Sequence, residues 1–147
     1  MDVSGTIRTI LSHKSGDVFS ISPEATVFEA IEMMEAKNVG ALLVMEREQV
    51  VGIISERDYA RKVFLKGKSS KDTQVREIMS YPVICVPPEL TVERTMTILT
   101  EKRIRHLPVV IGEKVVGVVS IGDVVRAMID DRDFHIEQLT KYVTGSL

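Results

Sequence analysis

The chain has no tryptophan, seven other aromatic residues (three Tyr, four Phe) and one cysteine in 147 residues. A single thiol, Cys85, excludes an intrachain disulfide and a thiolate-rich metal centre. Placed in a short apolar run, it reads as a small buried side chain rather than a nucleophile. No stretch approaches 18 apolar residues, so no segment is expected to span a bilayer. The formal charge of −2 gives no general attraction to nucleic acid or to an anionic membrane. The three histidines, His13, His106 and His135, fall at no metal-ligand spacing. There is no Gly-x-Ser-x-Gly elbow, no P-loop and no Gly-x-Gly-x-x-Gly. The start, MDVSGTIRTI, shows neither a signal-peptide core nor Arg-rich transit character, so a soluble cytoplasmic protein is expected.

What the chain does contain is itself, twice. Residues 18–65 align with 83–130 at a constant offset of 65, without a gap, and 15 of the 48 columns are identical. Ordinary residue usage gives about three by chance. A repeat of this length predicts two similar supersecondary units that are stable together, since one alone is near the marginal size of roughly 60 residues.

Both copies run in the same order. A helical lead-in comes first, with Ile7, Ile10 and Leu11 echoed by Val75, Ile78 and Met79. An apolar strand follows, VFSI (18–21) and VICV (83–86). Pro-Glu and a Thr then open a helix, whose stripes are Val27, Ile31, Met34 and Val92, Met96, Leu99. Thr26 and Glu29 have capping-box spacing; Arg94 breaks it in the second copy. Two Val- and Ile-rich runs follow in each copy, 41–45 with 50–54 and 107–111 with 115–119, and predict a buried hairpin. A second helix closes each unit, giving β-α-β-β-α. The polar stretch GKSSKDTQ (67–74) reads as a surface linker, its lysines solvated rather than bound to nucleic acid. Beyond Asp130, Ile136, Leu139 and Val143 form a stripe preceded by Asp130, Asp131 and Asp133, which suits a separate helix with an acidic N-terminus.

The sharpest shared feature is Gly-Ile-Ile-Ser-Glu-Arg-Asp (52–58) against Gly-Val-Val-Ser-Ile-Gly-Asp (117–123), where a strand ends and a helix begins. Ser-x-x-Asp at that place is a capping-box pattern. It also closes a strand that points at a helix N-terminus, where backbone N–H groups attract phosphate. With the Pro-x-x-Thr-Val helix starts and His-Leu-Pro-Val (106–109), the arrangement resembles the cystathionine-β-synthase (CBS) domain family, and specifically a stand-alone tandem pair, or Bateman module.

The resemblance covers nearly the whole chain and implies an α/β (α+β) fold of two β-α-β-β-α repeats packed about a pseudo-twofold axis. Its expected boundaries are repeat 1 at 7–66, a linker at 67–74, repeat 2 at 75–131 and a helical tail at 132–147, all within one module, 1–147. It further implies adenosine-ligand clefts between the repeats. Asp58 and Asp123 would accept from the ribose hydroxyls, as a carboxylate's two oxygens suit a vicinal diol. Ser55 and Ser120 would hold ribose or phosphate, and Ile53 and Val118 would lie against adenine. Val83 and Ile84 would complete the Asp58 site, Val18 and Phe19 the Asp123 site. Arg57 would add a cation to the first. Arg105 and His106 are expected at phosphate in the second, though Arg105 reads equally as a solvated surface charge. The implied ligand is AMP, ADP, ATP, NAD(H) or S-adenosylmethionine, with no catalytic cofactor. The expected function is a non-enzymatic regulatory sensor, homodimeric, acting on an unidentified protein partner. A ligand-free dimerisation module and a nucleotide-acting enzyme are the alternatives.

Overall fold

A computed structural model of the chain describes residues 5–14 and 16–144, apart from the side chains of residues 133–135, 138, 141, 142 and 144. His135 therefore lies outside the described side chains. The elements are α1 (Ile7–Ser12), β1 (Ser20–Ile21), α2 (Val27–Lys37), β2 (Ala41–Glu46), β3 (Gln49–Ser55), α3 (Glu56–Tyr59) running into a π-helical turn (Ala60–Phe64), α4 (Val75–Ile78), α5 (Val92–Lys102), β4 (His106–Ile111), β5 (Lys114–Ser120) and α6 (Ile121–Thr144). The mixed helix-and-strand class and the doubled organisation are those expected from the sequence. The chain divides into two compact units, residues 17–84 with 112–114, and residues 1–16, 85–111 and 115–147.

The 17–84 unit has a three-stranded sheet in the order β1-β2-β3, with β1 parallel and β3 antiparallel to β2. Arg47 and Glu48 turn the β2–β3 hairpin, both at positive φ, as the twist of a two-residue connection requires. Its core is Ile21, Val27, Ala30, Met34, Leu42, Val44, Ile54, Val63, Val75 and Ile78. In the other unit β4 and β5 form a two-stranded sheet. There the core is Ile7, Ile10, Val86, Val92, Leu99, Leu107, Val109, Val119 and Val124. Six columns of the repeat place a hydrophobic core residue in both units: 21/86, 27/92, 34/99, 42/107, 44/109 and 54/119.

The lead-in helices are placed differently from their order in sequence. α1 packs in the core of the unit built from 85–147, and α4 in the core built from 17–84. Each docks by the same device. Ile7 and Arg8 donate their amides to the carbonyls of Leu90 and Pro88; Val75 and Arg76 donate theirs to Ala25 and Pro23. These bonds satisfy the first N–H groups of the two short helices. Arg8 pairs with Glu89 at 2.7 Å and Arg76 with Glu24, pairs too exposed to stabilise much. The repeated Pro-Glu is thus the landing place of a lead-in helix.

The same docking explains the motif glycines. A Cβ at Gly52 would lie 2.6 Å from Met79 Sδ and 2.9 Å from its Cγ; one at Gly117 would lie 2.7 Å from Leu11 Cδ2. Gly52→Ala is expected to cost about 1–3 kcal/mol through overpacking. Urea unfolding should show the loss, and a Met79→Ala background should shrink it. Stability equal to wild type would contradict the contact.

Three sequence expectations are corrected and a fourth is refined. Residues 83–86 are not a strand: only Val86 bridges, to Val109. In the first copy the Leu43 amide bonds the Phe19 carbonyl; the second copy has Pro108 there and no N–H to donate. Cys85 is exposed, as is Ser20 at the aligned position of β1. Partial burial still pushes its thiol above the ordinary value, so it is not an activated thiolate. The 67–74 stretch is largely at the surface, as expected of a linker, but it is also anchored. Thr73 is buried, and the carbonyls of Thr73 and Ser70 accept from the Val27 and Phe28 amides at the start of α2. Finally, α6 runs unbroken for 24 residues. No Gly or Pro interrupts 123–144, so Asp130, Asp131 and Asp133 fall inside a helix and do not begin one. Thr26 and Thr91 both cap their helices through Oγ1, accepting from the amides of Glu29 and Arg94. The cap survives Arg94 because it needs only the backbone N–H of that residue.

Candidate functional site

Each Gly-h-h-Ser-x-x-Asp motif carries the end of a hairpin into a helix. Ser55 is the N-cap of α3: its Oγ accepts from the Asp58 amide at 3.2 Å, and Asp58 Oδ2 accepts from the Ser55 amide at 3.0 Å and its hydroxyl at 3.1 Å. Ser120 opens α6 in the same way. The Asp123 amide donates to its Oγ at 3.1 Å, and its amide donates to Asp123 Oδ2 at 2.8 Å. The capping box is therefore formed in both copies. It fixes the position of each carboxylate while drawing mainly on one oxygen. Neither acid faces bulk solvent, with side-chain exposures of 13% for Asp58 and 11% for Asp123.

Both acids have a lysine partner that the sequence reading missed. Lys62 Nζ lies 3.2 Å from Asp58 Oδ1 and donates to the Ile78 carbonyl at 2.9 Å. Lys14 Nζ donates to Asp123 Oδ2 at 2.7 Å and to the Val118 carbonyl at 2.8 Å. The i, i+4 spacing of Asp58 and Lys62 was a visible signal. Nothing local could have linked Lys14 to a residue 109 positions away.

Around Asp123 the fold gathers more charge. The Ile121 amide donates to the Arg105 carbonyl at 2.9 Å, which seats Arg105 beside the start of α6. Its side chain is exposed, while the adjacent His106 is partly buried. Burial lowers the His106 pKa below its ordinary 6.5, and Lys14 and Arg105 add to this against the pull of Asp123. For Asp123, burial works to raise the pKa. The Lys14 ammonium and the Ser120 amide and hydroxyl outweigh it and hold the carboxyl below its ordinary 3.8. In the first copy the carbonyl of Gly40 accepts from the Glu56 amide in place of Arg105.

These shifts fix a sign. With His106 lowered, the unfolded chain takes up the proton first. Stability from this group is complete above pH 6.5 and declines as pH falls from there through the folded value. Asp123, also lowered, adds stability above 3.8 that is lost as pH falls through its own folded value. His106→Gln should flatten the decline below pH 6.5, read as urea midpoints at pH 7.5 and 5.5. An unchanged slope would contradict the assignment.

The other expected site residues fall as follows. Ile53 and Val118 are half-buried, one residue after the motif glycines. Ile53 pairs with Ser80 (N–H···O 3.1 Å and 2.9 Å), so the chain leading to Val83 and Ile84 departs from beside β3. Val83 is half-buried; Ile84 is exposed. Val18 and Phe19 lead into β1, at the sheet edge away from β3, and Lys37 Nζ lies 5.4 Å from the Phe19 ring centre. Arg57 is exposed, on the first turn of α3. Ser55, Asp58 and Ile53 are thus brought together within one unit, and Ser120, Asp123, Val118, Arg105 and His106 within the other. No hydrogen bond joins His106 to the Ser120 hydroxyl among the described residues, where a nucleophile would need its base.

The CBS domain family profile matches residues 7–64 and 75–130. The chain belongs to the CBS domain family. It is 40% identical over 151 residues to the CBS domain-containing protein CBSX3, mitochondrial, of Arabidopsis thaliana, covering 97% of this chain and 73% of that protein. Among solved structures it is similar to a Burkholderia ambifaria protein with CBS domains (42% identity, TM-score 0.83, 86% of this chain and 96% of that one). A hexameric CBS-CP12 protein of bloom-forming cyanobacteria follows at 32% identity, TM-score 0.76, with 83% and 70% covered. The CBS domain pair of protein MJ0100, solved with 5′-methylthioadenosine and S-adenosyl-L-methionine, shares the fold at 24% identity and TM-score 0.73, with 85% and 95% covered. No described helix is long and apolar enough to cross a membrane. The cytoplasmic expectation finds no support in the Arabidopsis relative, whose name is mitochondrial.

Proposed function

We propose that the chain is a non-enzymatic sensor of adenosine-type ligands, in which the carboxylates of Asp58 and Asp123 anchor ribose. The carrying observation is the geometry of those two acids: capped into place, shielded from bulk solvent, and each presented at the start of a helix. The bonds that Asp123 accepts from Lys14 and from the Ser120 amide both fall on Oδ2, which leaves Oδ1 the oxygen better placed to take a ribose hydroxyl. Ser55 and Ser120 would support ribose or phosphate. Ile53 and Val118, with Val83, Ile84, Val18 and Phe19, would form the apolar walls for adenine. Arg57, Arg105 and His106 would meet phosphate. The adenosine-type ligands named for the MJ0100 pair support this class of ligand; AMP, ADP, ATP, NAD(H) and S-adenosylmethionine are the candidates here.

Regulation follows from differential affinity: a ligand that prefers one arrangement of the chain shifts that population and changes the surface offered to a protein partner. The homodimer belongs to the same proposal. Ile129, Ile136, Leu139 and Val143 of α6 are more than half exposed and offer an apolar stripe to a second chain. The hexameric relative makes a larger assembly the competing outcome, and sedimentation separates the two.

A thermal-shift panel tests the sensing role. A bound adenine nucleotide at 100 times its Kd adds about 2.7 kcal/mol, or roughly 5–10 °C for a chain of this size. Guanine and cytosine nucleotides should do less. No shift with any adenosine compound would favour the ligand-free dimerisation module, and a product formed during incubation would favour an enzyme.

A further inference from the structure

We propose that Lys14 is the residue that makes the Asp123 site select a phosphorylated nucleoside over the bare nucleoside. The inference rests on the adenosine-site reading above and adds a specificity residue to it.

The argument begins with what Lys14 holds. Its ammonium donates to Asp123 Oδ2 and to the Val118 carbonyl, at 2.7 Å and 2.8 Å. These are the anchoring carboxylate and the backbone of the adenine-wall residue. Two of its three N–H donors are used and one remains. Oδ2 already carries the Ser120 amide. A vicinal diol that donates to both carboxylate oxygens therefore competes with Lys14 for Oδ2. If Lys14 yields, its ammonium loses its carboxylate partner while its charge, with that of Arg105, still opposes a proton on His106. An uncharged nucleoside supplies nothing to compensate. A phosphate does, and the flexible four-carbon stem of lysine lets the charge move to it. Lys14 is thus a competitor for adenosine and a contact for its phosphates.

An independent observation supports a built feature. The other motif acid also has a lysine, and that lysine also bonds a main-chain carbonyl. Yet the two lysines are not repeat equivalents. Lys62 aligns with Ala127 in the second copy, and the lead-in position of Lys14 corresponds to Pro82. The capping box needs no cation. Two unrelated positions nonetheless deliver an ammonium to the equivalent carboxylates, Asp58 and Asp123.

The test is calorimetric titration of the full chain with adenosine and with ADP. Wild type should bind ADP more tightly. Lys14→Met should weaken ADP about tenfold or more while adenosine binding holds or improves, so the preference collapses. Lys14→Arg should keep most of the ADP preference. Equal weakening of both ligands in Lys14→Met would assign Lys14 a structural role and overturn the inference, as would an unchanged ADP-to-adenosine ratio. A wild type that prefers adenosine overturns it while leaving the adenosine site intact. A wild type that binds neither overturns the site reading and the inference together.

Discussion

Ile7→Ala is expected to destabilise the chain by about 2–5 kcal/mol, the range for truncating a fully buried aliphatic side chain. Ile7 has no exposed surface and sits among Val86, Val92, Leu99, Leu107, Val109, Val119 and Val124. The size of the loss is less telling than its place. Ile7 opens the first repeat in sequence but completes the core made from the second. Hydrogen exchange should therefore show the amides of β4 and β5 losing more protection than those of β2 and β3. The reverse order would mean that α1 packs with the unit that follows it in sequence. A mirror experiment is available in Ile78→Ala, which belongs to the 17–84 core and should weaken β2 and β3 instead.

The second large effect concerns Asp123. Asp123→Ala removes the N3 partner of the α6 capping box and leaves the Lys14 ammonium without its carboxylate. The cap loss alone should cost about 0.5–2 kcal/mol of stability. Ligand affinity should fall by about 1.5–3 kcal/mol, the worth of hydrogen bonds to a charged group, which is roughly 10- to 150-fold. Asp123→Asn separates the two roles. An amide oxygen can still accept from the Ser120 amide, so most of the stability should return. The charge and one acceptor are gone, so affinity should not. Urea unfolding and calorimetry on the same pair of variants check this. Full affinity in Asp123→Asn would reduce Asp123 to a helix cap.

Much of this was legible in the sequence because it is periodic or local. The six shared core columns were visible as repeated apolar positions, and the motif hydroxyl and acid fell where the capping box formed. The failures are of another kind. VICV (83–86) has the composition of a strand, but its ladder partner is Pro108, so the pairing was decided by a residue 22 or more positions downstream. The exchanged lead-ins are marked only by an offset of 68 instead of 65 between Ile7, Ile10, Leu11 and Val75, Ile78, Met79. Which core they enter is a tertiary choice made by carbonyls on the two Pro-Glu turns. Lys14 reaches Asp123 only because α1 takes that choice. The 24-residue α6 was misread as two helices because three acids look like a helix start, and the absence of any breaker around them carried more weight.

The central claim is that Asp58 and Asp123 hold the ribose diol of an adenosine ligand. Titration with ADP against 2′-deoxy-ADP asks this of the ligand and leaves the protein untouched. Loss of one hydroxyl strands a charged acceptor, so the deoxy compound should bind about tenfold more weakly or worse. Equal affinities would show that neither carboxylate engages the ribose.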